Sequence, residues 1–254
     1  MNTIDKIIGY FSPTSLERRL ISRARIQGIK EGQRLFDGAT SGRRGSSMPT
    51  QGQGNPNYDL GLPLTKLKLR SRYLFRNNSY GKRSLKAITQ NVVGTGIQCA
   101  PTGGTDMQNE AIKRAFNAWA KSKRCDFHGK KNFFGIQRQV MQTVAMDGEV
   151  LVIKRRVSSD RRFPLKLQLV NCDYLDTTVD SLTDTTEGNF ITKGIEFDSE
   201  GRVVAYHIYR QNPEDINSIR FDSERIPASE VLHIFEQDII GQTRGIPFLS
   251  LIHI

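Results

Sequence analysis

Apolar residues recur at helical spacing up to about Met146 and at every second position beyond it, so the chain predicts helices first and strands afterwards. Gln108 to Lys121 places Ile112, Ala115, Phe116 and Trp119 on one stripe, with Thr105 or Asp106 set to cap its start. Ser84 to Val92 reads as a helix closed by Gly94-Thr95-Gly96, and another is predicted from about Asn132 to Met146. Leu64 to Arg70 supports two readings. It alternates as a strand does, yet Leu60, Leu64, Leu67 and Leu74 also fit one helical face. Nearer the start, Ser12-Pro13-Thr14 breaks a first segment, and Leu16, Leu20 and Ile21 among Arg18, Arg19, Arg23 and Arg25 describe a basic amphipathic helix.

Asp147-Gly148 is a turn signal. The expectation is a hairpin-like turn in which Gly148 supplies a positive φ between Asp147 and Glu149, followed by a strand from Glu149 to Val157. Further strands are predicted over Leu165 to Val170, Gly194 to Phe197, Arg202 to Arg210 after an Asp198–Gly201 turn, and Val231 to Phe235. Helices followed by strands predict an α+β class: N-terminal helices and a basic arm, then a mainly antiparallel, β-rich region. The domain reading is a basic helical segment over 1–36, a mobile Gly/Ser/Arg-rich arm over 37–58, and one α+β domain over 59–254. The arm is too poor in apolar side chains to offset the entropy of ordering it.

Composition adds limits. The 254 residues are 37% hydrophobic, which excludes a wholly disordered chain. The net charge is +11, but residues 1–156 hold 28 basic and 10 acidic side chains, while 157–254 hold 9 and 16. That asymmetry predicts two contact surfaces, the first facing a polyanion or an acidic protein. Cys99, Cys125 and Cys172 form neither a disulfide framework nor a CxxC site and fit a reducing compartment. No window approaches the ~18 continuous apolar residues of a membrane span, and Met1 to Ser12 is too short and mixed for a signal peptide.

Motifs for chemistry are sparse. Gly94-Thr95-Gly96 and Gly103-Gly104 lack the flanking residues of a phosphate loop or dinucleotide fingerprint and read as turns. No lysine follows an acidic residue by two positions, as a common nuclease motif requires. His128, His207, His233 and His253 are isolated, no serine sits in a GxSxG elbow, and no cysteine carries a nucleophile signature. Asp173 and Asp176 could ligate a metal but read more simply as turn or capping residues. The reading assigns no catalysis, cofactor or metal. The candidate contacts to phosphate or an acidic partner are Arg43 and Arg44 in the arm, and Lys66, Lys68, Arg70, Arg72, Arg76, Lys82 and Arg83, interleaved with Tyr73, Phe75 and Tyr80.

The segment Arg76-Asn-Asn-Ser-Tyr-Gly-Lys-Arg-Ser-Leu-Lys-Ala-Ile-Thr-Gln-Asn-Val-Val-Gly-Thr-Gly-Ile97 resembles the lambda-type portal proteins of tailed bacteriophages. Collinear segments agree: Ile4 to Pro13, Asp37-Gly38-Ala39 with Gly42-Arg43-Arg44, Phe116 to Trp119, Asp147-Gly148-Glu149, Gly194 to Asp198 with Gly201 to Ile208, Arg225 to Ala228 with Val231 to Phe235, and Gly241 to Pro247. The resemblance implies a non-enzymatic subunit of a ring, usually of twelve copies, at one capsid vertex. Double-stranded DNA is packaged and ejected through that ring, and terminase, major capsid and scaffold proteins, and tail or head-completion proteins meet it. It implies a place in the virion, with assembly in the host bacterial cytoplasm and no membrane partner. It also implies that the chain, ending at Phe248 to Ile254, holds mainly the wing and lacks most of the stem, clip and crown. The alternatives are a nucleic-acid-binding or nuclease domain, and a non-assembling prophage remnant.

Overall fold

The computed structural model describes residues 57, 63–180, 188–211 and 222–251, all in the unit Pro56–Ile254. Among them, four α-helices come first: α1 (Pro63–Asn77), α2 (Ser79–Val93), α3 (Asp106–Lys121) and α4 (Phe133–Asp147). Strands β1 (Glu149–Arg156), β2 (Leu165–Val170), β3 (Phe190–Thr192), β4 (Ile195–Phe197), β5 (Val203–Tyr209), β6 (Ser223–Pro227) and β7 (Val231–Phe235) follow. They form two antiparallel sheets, ordered β2-β1-β7 and β3-β4-β5-β6, so the predicted α+β class holds.

Side chains that satisfy orphan backbone donors fix the helix starts. Asn78 accepts from the N–H groups of Tyr80 and Gly81 to open α2, Thr105 and Gln108 form a capping box on α3, and Asn132 accepts from Gly135 N–H on α4. The ambiguous run from Leu64 is helix α1. Its buried positions Leu64, Lys68 and Ser71 recur at i, i+4 and i+7, a pattern that only a helix places on one face.

The described residues of this unit are layered. Leu151, Ile153, Val170 and Val231 of the first sheet pack on Ile195, Phe197, Tyr206, Ile208 and Ile226 of the second. On the first sheet's other face, Val152 and Leu167 meet Ile136 and Val140 of α4 and Trp119 of α3. Outside that, Leu85 of α2 and Ala145 of α4 join Leu74, Ile88 and Leu249. Strand β1 is therefore covered on both faces, which explains its unbroken apolar run Val150–Ile153.

Several expectations change. Gly148 is not a hairpin residue. At φ +89° it ends α4, its N–H bonded to Val144 O, and the chain passes directly into β1. Gly194 belongs to a turn, not a strand: Lys193 and Gly194 both have positive φ and form the two-residue loop between β3 and β4. Strands β3, only three residues long, and β6, largely polar, are additions to the predicted set. The α3 stripe is only half used, since Phe116 and Trp119 pack on Phe133 while Ile112 stays exposed. Asn57, placed by sequence in the mobile arm, is held: its Oδ1 accepts from Thr243 N–H and Oγ1, and its Nδ2 donates to Gly241 O. The segment 1–36 and Arg43 and Arg44 lie outside the described residues. No helix among the described residues is long and apolar enough to cross a membrane.

Candidate functional site

The α4–β1 junction carries two acids separated by one glycine, and the fold buries both completely. Gly148 makes this possible. A Cβ there would lie 2.5 Å from Ile246 C, so only glycine lets the 245–247 loop cross the junction. The loop brings Arg244 to Glu149: Arg244 Nε donates at 3.0 and 2.9 Å and Nη2 at 2.7 Å, and Gly245 N–H adds a bond at 3.1 Å.

Helix α1 supplies the other cations from positions i and i+4 on its inner face. Lys68 Nζ lies 2.8 Å from Glu149 Oε1 and 3.7 Å from Asp173 Oδ1. Arg72 forks onto Asp147, with Nε to Oδ1 at 2.7 Å and Nη2 to Oδ2 at 3.1 Å, and its Nη2 also reaches Asp173 Oδ2 at 2.5 Å. Asn171 donates from Nδ2 to Asp147 Oδ2 at 2.9 Å. Three carboxylates, Asp147, Glu149 and Asp173, thus balance three cations, Lys68, Arg72 and Arg244. The network joins α1, the α4–β1 junction, the turn after β2 and the 244–245 loop.

The electrostatics follow from that pairing. Burial alone would raise the Glu149 carboxyl, but Arg244 and then Lys68, with a hydrogen bond from His233, hold it well below the ordinary value. Burial likewise opposes the Arg72 charge, and Asp147 and Asp173 outweigh it, so the guanidinium sits above its usual range. Burial, reinforced by the Glu149 charge, pushes the Cys172 thiol well up.

Glu149, Cys172 and His233 bring one ligand atom each within 4.8 Å of one another. The donor set is wrong for a cation as it stands. The Glu149 oxygens already accept from Lys68, Arg244, Gly245 and His233, and the thiol is held protonated. A divalent ion would have to displace two buried cations, so the arrangement works as an internal staple.

A second buried acid, Glu196, ties β4 to its neighbours. Arg225 donates from Nε at 2.7 Å and Nη2 at 2.9 Å, and Asn189 Nδ2 donates at 2.9 Å. Arg225, followed by Asn189, lowers the Glu196 carboxyl to about 2 despite burial. His207 Nε2 lies 3.4 Å from Glu196 Oε2 without a hydrogen bond among the described residues.

The predicted contact residues separate into two groups. Lys66, Arg70, Arg76, Lys82 and Arg83 are exposed on α1 and α2. Lys68 and Arg72 are corrected: they face inward and are internal ion-pair partners, because i and i+4 of α1 fall on its buried side. Tyr73 and Tyr80 are exposed, whereas Phe75 packs into the helical core with Lys82 5.9 Å over its ring. Asp176 is the turn residue expected, accepting from Thr178 and Tyr209; Asp173 is instead part of the staple. Asp147, Glu149 and Arg244 were not foreseen as partners. The available signals were an acid opening an apolar strand and an arginine inside a Gly-rich loop.

The family model described as phage portal protein, lambda family, matches residues 41–252. The chain belongs to this family. A probable portal protein of Halomonas phage phiHAP-1 is 32% identical over 188 residues, covering 70% of this chain and 36% of that relative. The chain therefore spans about a third of the relative's length. The lambda-family portal match takes in every member of the staple, from Lys68 to Arg244.

Proposed function

We propose that the chain is part of a structural subunit of a phage portal ring at a capsid vertex, the conduit for packaging and ejecting double-stranded DNA. The family match over 41–252 carries this reading. In it, the ring is a homo-oligomer, usually of twelve copies, and terminase, capsid and scaffold proteins, and tail or head-completion proteins dock on it. The virion is its final location and the host bacterial cytoplasm its place of assembly. The site fits the same reading: the buried charges are matched and hold layers together, as a mechanical subunit requires.

The exposed bases on α1 and α2 are assigned to contacts away from the channel lumen. A strongly basic lumen would retain DNA, because each neutralised phosphate releases counterions and adds affinity. Capsid, scaffold or packaged genome suit these bases better.

Electron microscopy of the purified chain tests the reading. Closed rings of uniform copy number support it; single compact particles at every concentration, from this chain and from a version lengthened to match its relatives, overturn it.

A further inference from the structure

The end of β1 remote from the staple carries a charged surface of its own. Arg156 stands seven residues along the strand from Glu149, about 23 Å at ~3.3 Å per residue. Residues 121–131, the turn after α3, and 154–166, the tip of the β1–β2 hairpin, hold eleven lysines and arginines against two acids, Asp126 and Asp160. The fold sews the two segments together: Trp119 Nε1 donates to Leu165 O at 2.9 Å, and Phe127 N–H donates to Leu167 O at 3.0 Å.

Both acids are buried and engaged internally. Asp126 accepts from the N–H groups of His128, Lys130 and Lys131. Asp160 accepts from Arg124 Nε at 3.0 Å and Phe163 N–H at 3.1 Å, with Lys166 Nζ 3.5 Å away. Around them Lys123, Arg124, Lys130, Arg156, Arg161 and Arg162 are exposed. Glu224 and Glu230 line a cleft with Arg155 and Arg156 at the border of this surface, and Glu224 is paired with Arg210 at 3.4 Å. Two guanidiniums are held in place by Phe163, whose ring centroid lies 5.4 Å from Arg124 and 5.3 Å from Arg162. Contact with a ring face orients a guanidinium and leaves its edge donors free for an oxyanion.

We propose that the hairpin tip and the turn after α3 form one sequence-blind contact for the phosphate backbone of double-stranded DNA. The inference rests on the portal reading, which brings that polyanion to the subunit. Guanidinium forks match phosphate oxygens, and a duplex presents one negative charge per ~1.7 Å of its axis with no cation among them. An acidic protein surface sets lysines and arginines among its acids, and an all-basic surface is repelled by those. A surface this basic retains DNA, so the counterion argument that keeps the α1 and α2 bases off the lumen applies to it as well.

Fluorescence anisotropy of a labelled duplex of about 30 base pairs and mixed sequence, titrated with the full chain between roughly 50 and 200 mM salt, tests this. The triple variant Arg156→Gln, Arg161→Gln, Arg162→Gln should bind at least ~10-fold more weakly and flatten the slope of log affinity against log salt by about 2–3. A control of equal charge, Lys113→Gln, Arg114→Gln, Arg202→Gln, alters exposed cations of which Lys113 and Arg202 already pair with Glu110 and Glu200. It should stay within about 2-fold of the parent, because distant charges are screened. Lys121→Gln, Lys123→Gln, Lys130→Gln repeats the test if the first variant melts early. Equal losses in variant and control, or none in either, overturn the surface. Tighter binding of poly-glutamate than of the duplex, lost by the same changes, overturns DNA in favour of an acidic protein. A parent that forms rings and leaves the duplex free overturns this contact alone. A parent that binds the duplex through these residues but, like its lengthened version, never forms rings supports the contact and overturns the portal reading.

Discussion

Glu149 and Arg244, 95 positions apart, meet in a bidentate ion pair at 2.9 and 2.7 Å with neither side chain more than 9% exposed. Lys68, from the first described helix, shares the same carboxylate. One acid at the start of β1 therefore fastens the helical layer and the late loop to the same point of the sheet.

Removing that acid should be costly. Glu149→Gln leaves Arg244 buried without its counter-charge and Lys68 with only Asp173 at 3.7 Å, and breaking a buried pair from one side costs ~3–5 kcal/mol. Urea unfolding at neutral pH measures it. A loss below ~1 kcal/mol would contradict the staple.

Acid should act through the same kind of group. Glu196 falls from an ordinary 4.5 to about 2 in the folded chain. A depressed folded value means the stabilisation is complete above the unfolded value and is lost as pH drops through the folded one. Glu149, also held low, works in the same direction. Stability should therefore decline as pH falls from about 4.5 toward about 2, and Glu196→Gln should flatten that decline. Urea midpoints across this range test it; a parent chain that gains stability on acidification would contradict the assignment.

Gly148 cannot be replaced cheaply. It combines φ +89° with a Cβ position 2.6 Å from Gly245 O, so Gly148→Ala forces the 245–247 loop to move. The expected loss is at least ~2 kcal/mol, from positive-φ strain together with the displaced backbone. Thermal melting reads it, and an unchanged melting temperature would show that the loop does not pack as described.

Much of this fold was legible in the chain because its caps and periods are local. A cap for α3 at Thr105, the start of α4 beside Asn132, and the strands Leu165–Val170 and Val231–Phe235 stand where the pattern puts them. The staple was not legible, because ion pairs spanning 81 and 95 positions leave no periodic trace. Lys68 and Arg72 looked like their neighbours Lys66 and Arg70 until the helix face separated them. Strand β6 was hidden for a related reason: Ser223-Glu-Arg-Ile-Pro227 is polar at an edge and pairs only with β5 among the described strands.

The exposed members of the basic block should matter for association and not for stability. Reversing Lys66, Arg70, Lys82 and Arg83 to Glu should change folding stability by within ~0.5 kcal/mol per site. In a full-length portal subunit it should lower assembly yield more than DNA translocation by the rings that do form. Assembly yield and packaged DNA per particle measure the two effects, and the opposite order would place these bases in the channel.

Self-assembly is the central claim, and native mass spectrometry of the purified chain, beside a version lengthened to match its relatives, tests it most directly. The account predicts a single closed stoichiometry for the longer chain and concentration-dependent oligomers or the same ring for the 254-residue chain. Monomers alone in both samples would contradict it.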